Sequence, residues 1–191
     1  MRRIILASRS KARRKLLRDV GLKFTVSTSN VGEKRLIKTD CGDLVMENAM
    51  AKAVDVAGRF SSGIVIAADT VVLVGKRIIG KPKSIKDAFR MLRLLSQKPQ
   101  WVYSGIAVID IDRNKKYSSF DQTKVYMYRL SEREIKNYFK RVSPLDKAGS
   151  FDIQGFGSVF IDRIEGCFYN VVGLPMAKLA KILKKTGVYV F

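Results

Sequence analysis

Histidine is missing from this chain altogether, and its 191 residues include only two cysteines and four prolines. Cys41 and Cys167 stand far apart without C-x-x-C spacing, so no zinc site of histidine and cysteine ligands is expected. Free thiols in a reducing cytoplasm are the expectation. Acidic residues are scarce as well: 17 Asp and Glu face 37 Lys and Arg, a formal charge of +20. Such a field attracts phosphates, nucleic acid or acidic membranes, and charge alone does not choose among them. The cations are spread along the chain, with no basic tail and no aromatic RNA-binding motif. No run approaches the roughly 18 apolar residues of a membrane span, so a soluble, unexported protein is expected. Internal repeats and Pro/Ser-rich linkers are lacking too, which points to a single domain over residues 1–191.

What is present is an alternation of strand and helix patterns, and hence an α/β class. "IILA" reads as a buried strand, and "SKARRKLLRDVG" as a helix capped by Ser10, stopped by Gly21, with Leu16, Leu17 and Val20 facing inward. A strand near "FTVSTS" precedes a helix over residues 43–59, capped by Asp43 and carrying Lys52. "GIVIAADTVVLV" is a long strand that turns at Gly75-Lys76 into "RII". Ser84 with Asp87, and Ser131 with Glu134, spell capping boxes for two helices. Between these helices, "WVYSGIAVIDI" and "YSSFDQTKVYMY" flank the turn "DRNKK", and a glycine-punctuated segment leads to a last helix, "PMAKLAKILKKTG".

Asp69 stands inside the long aliphatic strand, where an unpaired carboxylate carries a large free-energy penalty or takes up a proton. It must have a partner. The hairpin register pairs Val74 with Arg77 and brings Lys81 abreast of Thr70, beside Asp69. A buried Asp–Lys ion pair, a carboxylate capping a turn and a catalytic carboxylate all satisfy this pattern. "GKRIIGKP" nearly matches the phosphate loop G-x-x-x-x-G-K-[ST], but Pro82 replaces the hydroxyl and Ile78 and Ile79 favour a strand.

Five strings in order, "LASRSKARRKLL", "ADTVV", "GKP", "KAGSFDIQGFG" and "NVVGLP", resemble the Maf family of nucleoside triphosphate pyrophosphatases over nearly the whole chain. The resemblance implies a mixed, twisted sheet flanked by helices with a deep substrate cleft, akin to inosine triphosphatases. It implies cleavage between the α and β phosphates, giving a monophosphate and pyrophosphate, with a divalent cation such as magnesium or manganese. Carried over by motif, Asp69 is the catalytic carboxylate, with Glu33 near the metal. Ser8, Arg13, Lys52 and Lys81 match phosphate-binding positions. These residue types suit the chemistry: cations neutralise phosphate oxygens, and hard carboxylate oxygens suit magnesium. Asp69 as ligand, as base, or as both remain open. Without the resemblance, Arg13 reads as an ordinary member of a basic helix, Lys52 as a surface lysine and Glu33 as a loop residue.

Thr70 and Gln154 resemble the branch that prefers dTTP and UTP, and a glutamine amide can meet the N3–H and a carbonyl of thymine or uracil. Gln154 as a loop amide bonding backbone is the plainer alternative. The usual S-P-R-R is "SKAR" here, so Ala12 replaces an arginine tied to substrate preference, and Lys11 replaces the proline. Preference for modified, methylated or purine triphosphates therefore stays open. "LSQKPQ" replaces L-S-G-x-x-H, with Gln97 and Gln100 in place of glycine and histidine, so catalysis runs without imidazole. Two other classes compete with the enzyme: a basic nucleic-acid-binding module, and a scaffold that binds nucleotide without hydrolysing it. Nucleic-acid binding beyond nonspecific charge is not expected. The resemblance also implies a homodimer.

Overall fold

The computed structural model describes residues 2–34, 40–145 and 147–190. Its elements run β1 (Ile4–Leu6), α1 (Lys11–Asp19), β2 (Thr25–Val26), α2 (Cys41–Ala57), β3 (Ile64–Val74), β4 (Arg77–Ile79), α3 (Ile85–Leu95), β5 (Gln100–Asp110), β6 (Lys115–Met127), α4 (Glu132–Arg141), β7 (Ile161–Glu165), α5 (Phe168–Val172) and α6 (Met176–Lys185). Among the described residues, seven strands form one mixed sheet in the order β2-β1-β3-β5-β6-β7, with β4 paired to β3. β1 runs parallel to both β2 and β3, with Ile5 opposite Thr25 and Val65. This is the α/β architecture that the alternating pattern predicts.

The chain divides into two compact units. The first comprises residues 1–69, 104–121 and 173–191, and the second residues 70–103 and 122–172. In the first, β3 is buried on both faces from Ile64 to Asp69, as suits a central strand lying between β1 and β5. Its core gathers Ile5, Val65 and Ala67 with Ala49, Ala53 and Val56 from α2. The helix lies close because Gly105 lacks a side chain: a Cβ there would stand 2.3 Å from the carbonyl oxygen of Val45.

The second unit is built around Leu92 and Leu95 of α3, Ile135 and Tyr138 of α4, and Val102 and Val125 of the sheet. Tyr138 packs edge-on against Phe160, with ring centroids 4.9 Å apart. Gly157 fits where a Cβ would meet the Asp152 carbonyl oxygen at 2.0 Å.

Local signals account for most boundaries. Ser10 caps α1 through the Arg13 amide, and Gly21, at φ 74°, ends the turn that follows. Ser131 and Glu134 form the reciprocal capping box of α4. At α3 the expected box takes a different form: Ser84 accepts from the Asp87 amide, but the Asp87 carboxylate accepts from Lys83 N, one residue before the cap. α2 starts earlier than expected, with Asp40 as its cap; Asp43 supplies the amide that Asp40 accepts and sits in the first turn. Both aspartates suit a cap, and the upstream one takes the position. Val20, expected inside, is exposed just beyond the end of α1. β7 and α5 were not read from the sequence.

Candidate active site

The first unit answers the question of what holds Asp69 in an apolar strand. Asp69 is 4% exposed, and its Oδ1 accepts from the Lys52 ammonium at 2.6 Å. Its Oδ2 accepts from the Asn48 side-chain amide at 2.9 Å. Asn48 and Lys52 lie four residues apart on α2, hence on one helix face, and each takes one oxygen of the carboxylate. The Lys52 ammonium also donates to Glu33 Oε1 at 2.7 Å. Two carboxylates thus converge on one cation whose side chain is only 12% exposed, while the Glu33 side chain is 48% exposed.

The loop that carries Glu33 is fastened to α2 at two levels. Asn30 N donates to Asp55 Oδ2 at 3.2 Å, and Lys34 N donates to Asn48 Oδ1 at 2.9 Å. Asn48 Nδ2 returns a bond to the Lys34 carbonyl at 3.0 Å.

Arg13, on the first turn of α1, is bound largely to backbone. Its Nε donates to the Gly173 carbonyl at 2.7 Å, and its Nη1 to the Ala68 carbonyl at 2.9 Å and to Ser8 Oγ at 3.3 Å. Ser8, nearly buried, also accepts from Ser10 N at 3.2 Å. Burial pushes the Arg13 guanidinium down from its ordinary value, while the charges of Asp69 and Glu33 oppose that shift. An arginine starts so high that it stays charged. Its charge is thereby held beside the residue that precedes Asp69.

A family model of Maf-like proteins matches residues 3–186 of this chain. The chain belongs to the Maf family. It is 44% identical over 192 residues to the dTTP/UTP pyrophosphatase of Methanosarcina barkeri, spanning 100% of this chain and 98% of that protein. To the dTTP/UTP pyrophosphatase of Clostridium tetani it is 41% identical over 187 residues, spanning 96% and 97%. Among solved structures, the Staphylococcus aureus Ham1 protein aligns over 66% of this chain and 72% of its own, with TM-score 0.46 and 14% identity.

Of the positions carried over from the Maf motifs, the first unit brings Asp69, Lys52 and Glu33 into one hydrogen-bonded group and joins Ser8 to Arg13. Ala12 lies half-buried on the first turn of α1, next to Arg13. The other three belong to the second unit. Thr70 follows Asp69 on β3 and is half-buried. The hairpin turns at Gly75-Lys76 with Val74 opposite Arg77, as expected, but its pairing ends at Val72 opposite Ile79, two residues short of the Thr70–Lys81 level. Lys81 is exposed, and the cation that pairs with Asp69 is Lys52. Gln154 is half-buried, and its backbone N donates to Asp152 Oδ1 at 2.9 Å in a tight side-chain turn.

Asn48 was missed. The signal was available: it falls three residues after Val45 and four before Lys52, inside the apolar stripe of α2, where a short amide needs a polar partner.

Among the described residues no group of three or more His, Cys, Asp or Glu side chains converges. The donor set nevertheless fits a hard divalent cation. Glu33 and Asp69 already hold a cation, the Lys52 ammonium, between them. Two carboxylates completed by substrate phosphates are a usual arrangement for magnesium.

Proposed function

We propose that this Maf-family chain hydrolyses nucleoside triphosphates, with dTTP and UTP preferred, to the monophosphate and pyrophosphate. The observation that carries the reading is the Asp69 carboxylate, buried on β3 and held by Lys52 and Asn48. The relatives named as dTTP/UTP pyrophosphatases support the choice of substrate. Residues 1–191 then work as one catalytic domain.

In this reading Asp69 takes a proton from the attacking water at Oδ1, the oxygen that faces the Lys52 ammonium. Lys52 supplies positive charge where negative charge grows on the phosphate. Arg13 adds a second fixed charge, with Ser8 beside it to accept and donate hydrogen bonds. Glu33 and Asp69 would hold the divalent cation, magnesium or manganese, which when bound neutralises phosphate oxygens and polarises water. The roles assigned to Lys81 in phosphate binding, and to Thr70, Gln154 and Ala12 in base choice, rest on motif resemblance, as does the substrate cleft. A homodimer in the cytoplasm completes the proposal; among the described residues no helix is long and apolar enough to cross a membrane.

The test is a panel of nucleoside triphosphates incubated with magnesium or manganese, the products being separated by chromatography. The proposal expects monophosphate and pyrophosphate from dTTP and UTP ahead of the other bases. Equal product from purine triphosphates would keep the chemistry and overturn the base preference, with Ala12 the first position to restore to arginine. Tight, salt-sensitive nucleic-acid binding without turnover would favour the basic binding module. Light scattering at working concentration checks the dimer.

A further inference from the structure

We infer that Asn48 is a positioning residue of this site: one buried amide both aims the Asp69 carboxylate and clasps the Glu33 loop to α2. The inference rests on the pyrophosphatase reading for its kinetic consequence, but its geometry stands without it.

The orientation of the Asn48 amide is settled by its neighbours. Lys34 N can only donate and the Lys34 carbonyl can only accept, so Oδ1 must face the first and Nδ2 the second. That leaves the second Nδ2 hydrogen for Asp69 Oδ2. At 3% exposure, both amide hydrogens and the carbonyl oxygen are engaged, which leaves the side chain little room to turn.

Two consequences follow. With Oδ2 fixed by Asn48, the plane of the Asp69 carboxylate is set and Oδ1 is presented to Lys52. A lysine by itself offers a single mobile point charge and would leave that plane free to rotate. Lys34, meanwhile, is held by its backbone next to Glu33, so the exposed loop delivers Glu33 Oε1 to the same ammonium. The Lys34–Glu47 ion pair on the outside, with both side chains more than half exposed, adds little to this hold.

The test uses the whole chain with dTTP and magnesium, together with hydrogen–deuterium exchange at the Lys34 amide and urea unfolding as a control on folding. In Asn48→Ala, kcat should fall roughly 10- to 100-fold, as expected for a displaced reacting group, while KM changes less. The Lys34 amide should exchange faster. Asn48→Asp keeps an oxygen able to accept from Lys34 N–H but cannot donate to Asp69, so it separates the two functions. Its kcat should fall at least as far as in the alanine variant, with the Lys34 amide better protected than in that variant. Native kcat in both variants, or a fall that merely tracks loss of folded protein, would overturn the inference. Should the native chain release pyrophosphate from no triphosphate at all, the functional reading falls, while Lys34 exchange in Asn48→Ala still decides the clasp. Faster exchange upholds it and unchanged protection overturns it.

Discussion

Asp69 and Asp110 are both sealed carboxylates of the first unit, 4% and 1% exposed, and they are held in opposite ways. Asp110 closes β5 and receives the fork of Arg2: Nη1 donates to Oδ2 at 2.7 Å and Nη2 to Oδ1, with the Arg113 amide added at 3.2 Å. The same guanidinium reaches Asp112 and the Thr186 carbonyl, so three parts of the chain meet on one side chain. Asp69 is held differently. It takes one ammonium and one neutral amide, and the ammonium is shared with a half-exposed glutamate. A bidentate pair fixes geometry and uses up the acceptor positions, whereas a lysine and an amide fix direction while leaving lone pairs for chemistry. Two buried aspartates therefore differ in how they are held: one is riveted, and the other keeps acceptor positions for the chemistry proposed above.

The sharpest way to break this distinction is to neutralise each in turn. Asp69→Asn should lower turnover of dTTP by about 10²- to 10⁴-fold, the range for a general base, while the unfolding midpoint stays near native. Pyrophosphate release and urea unfolding, measured on the same preparation, check both halves. Asp110→Asn should do the reverse. Losing the charged fork while Asp112 still accepts from Arg2 should cost about 1.5–3 kcal/mol of stability, and turnover per folded molecule should remain near native.

Acid sharpens the comparison further. The Arg2 fork holds the Asp110 carboxyl below the usual carboxylate range, against the upward push of burial. Its folded pKa being depressed, the stability it contributes is present above the unfolded value of about 4 and is lost as pH falls through the folded value. Native protein should therefore lose stability as pH drops below about 4, and Arg2→Met should flatten that loss in an unfolding series from pH 7 to 3. The smallest expected effect lies in the second unit, where Ser131→Ala removes the α4 cap and should cost about 1 kcal/mol with no change in turnover per folded molecule. A large kinetic effect there would mean that local capping and the chemistry are not separable.

Much of this was legible in the sequence because it is local. Period-2 and period-3.6 patterns, Ser10, Ser131 and the Gly75-Lys76 turn each act within a few residues, and the structure agrees with them. Asp69 was conspicuous because a carboxylate among aliphatic residues demands a partner. The identity of that partner was not legible: Lys52 is 17 residues away on α2, and helix packing at Gly105, not sequence spacing, brings it in. The hairpin suggested Lys81 instead, since register is the only long-range geometry a sequence displays plainly. Asn48 escaped for a related reason, as its bonds to Lys34 and Asp69 span 14 and 21 residues. The carbonyls of Ala68 and Gly173 that bind Arg13 leave no mark on composition at all. β7 and α5, five residues each, are too short for a periodic signal.

The most direct test is turnover of dTTP and UTP per folded molecule in Asp69→Asn and Asp110→Asn assayed side by side with the native chain. Loss of pyrophosphate release in the first, with near-native release in the second despite its lower stability, is the predicted result. Equal retention in both, or equal loss in proportion to unfolding, would contradict the assignment of Asp69 as the reacting carboxylate.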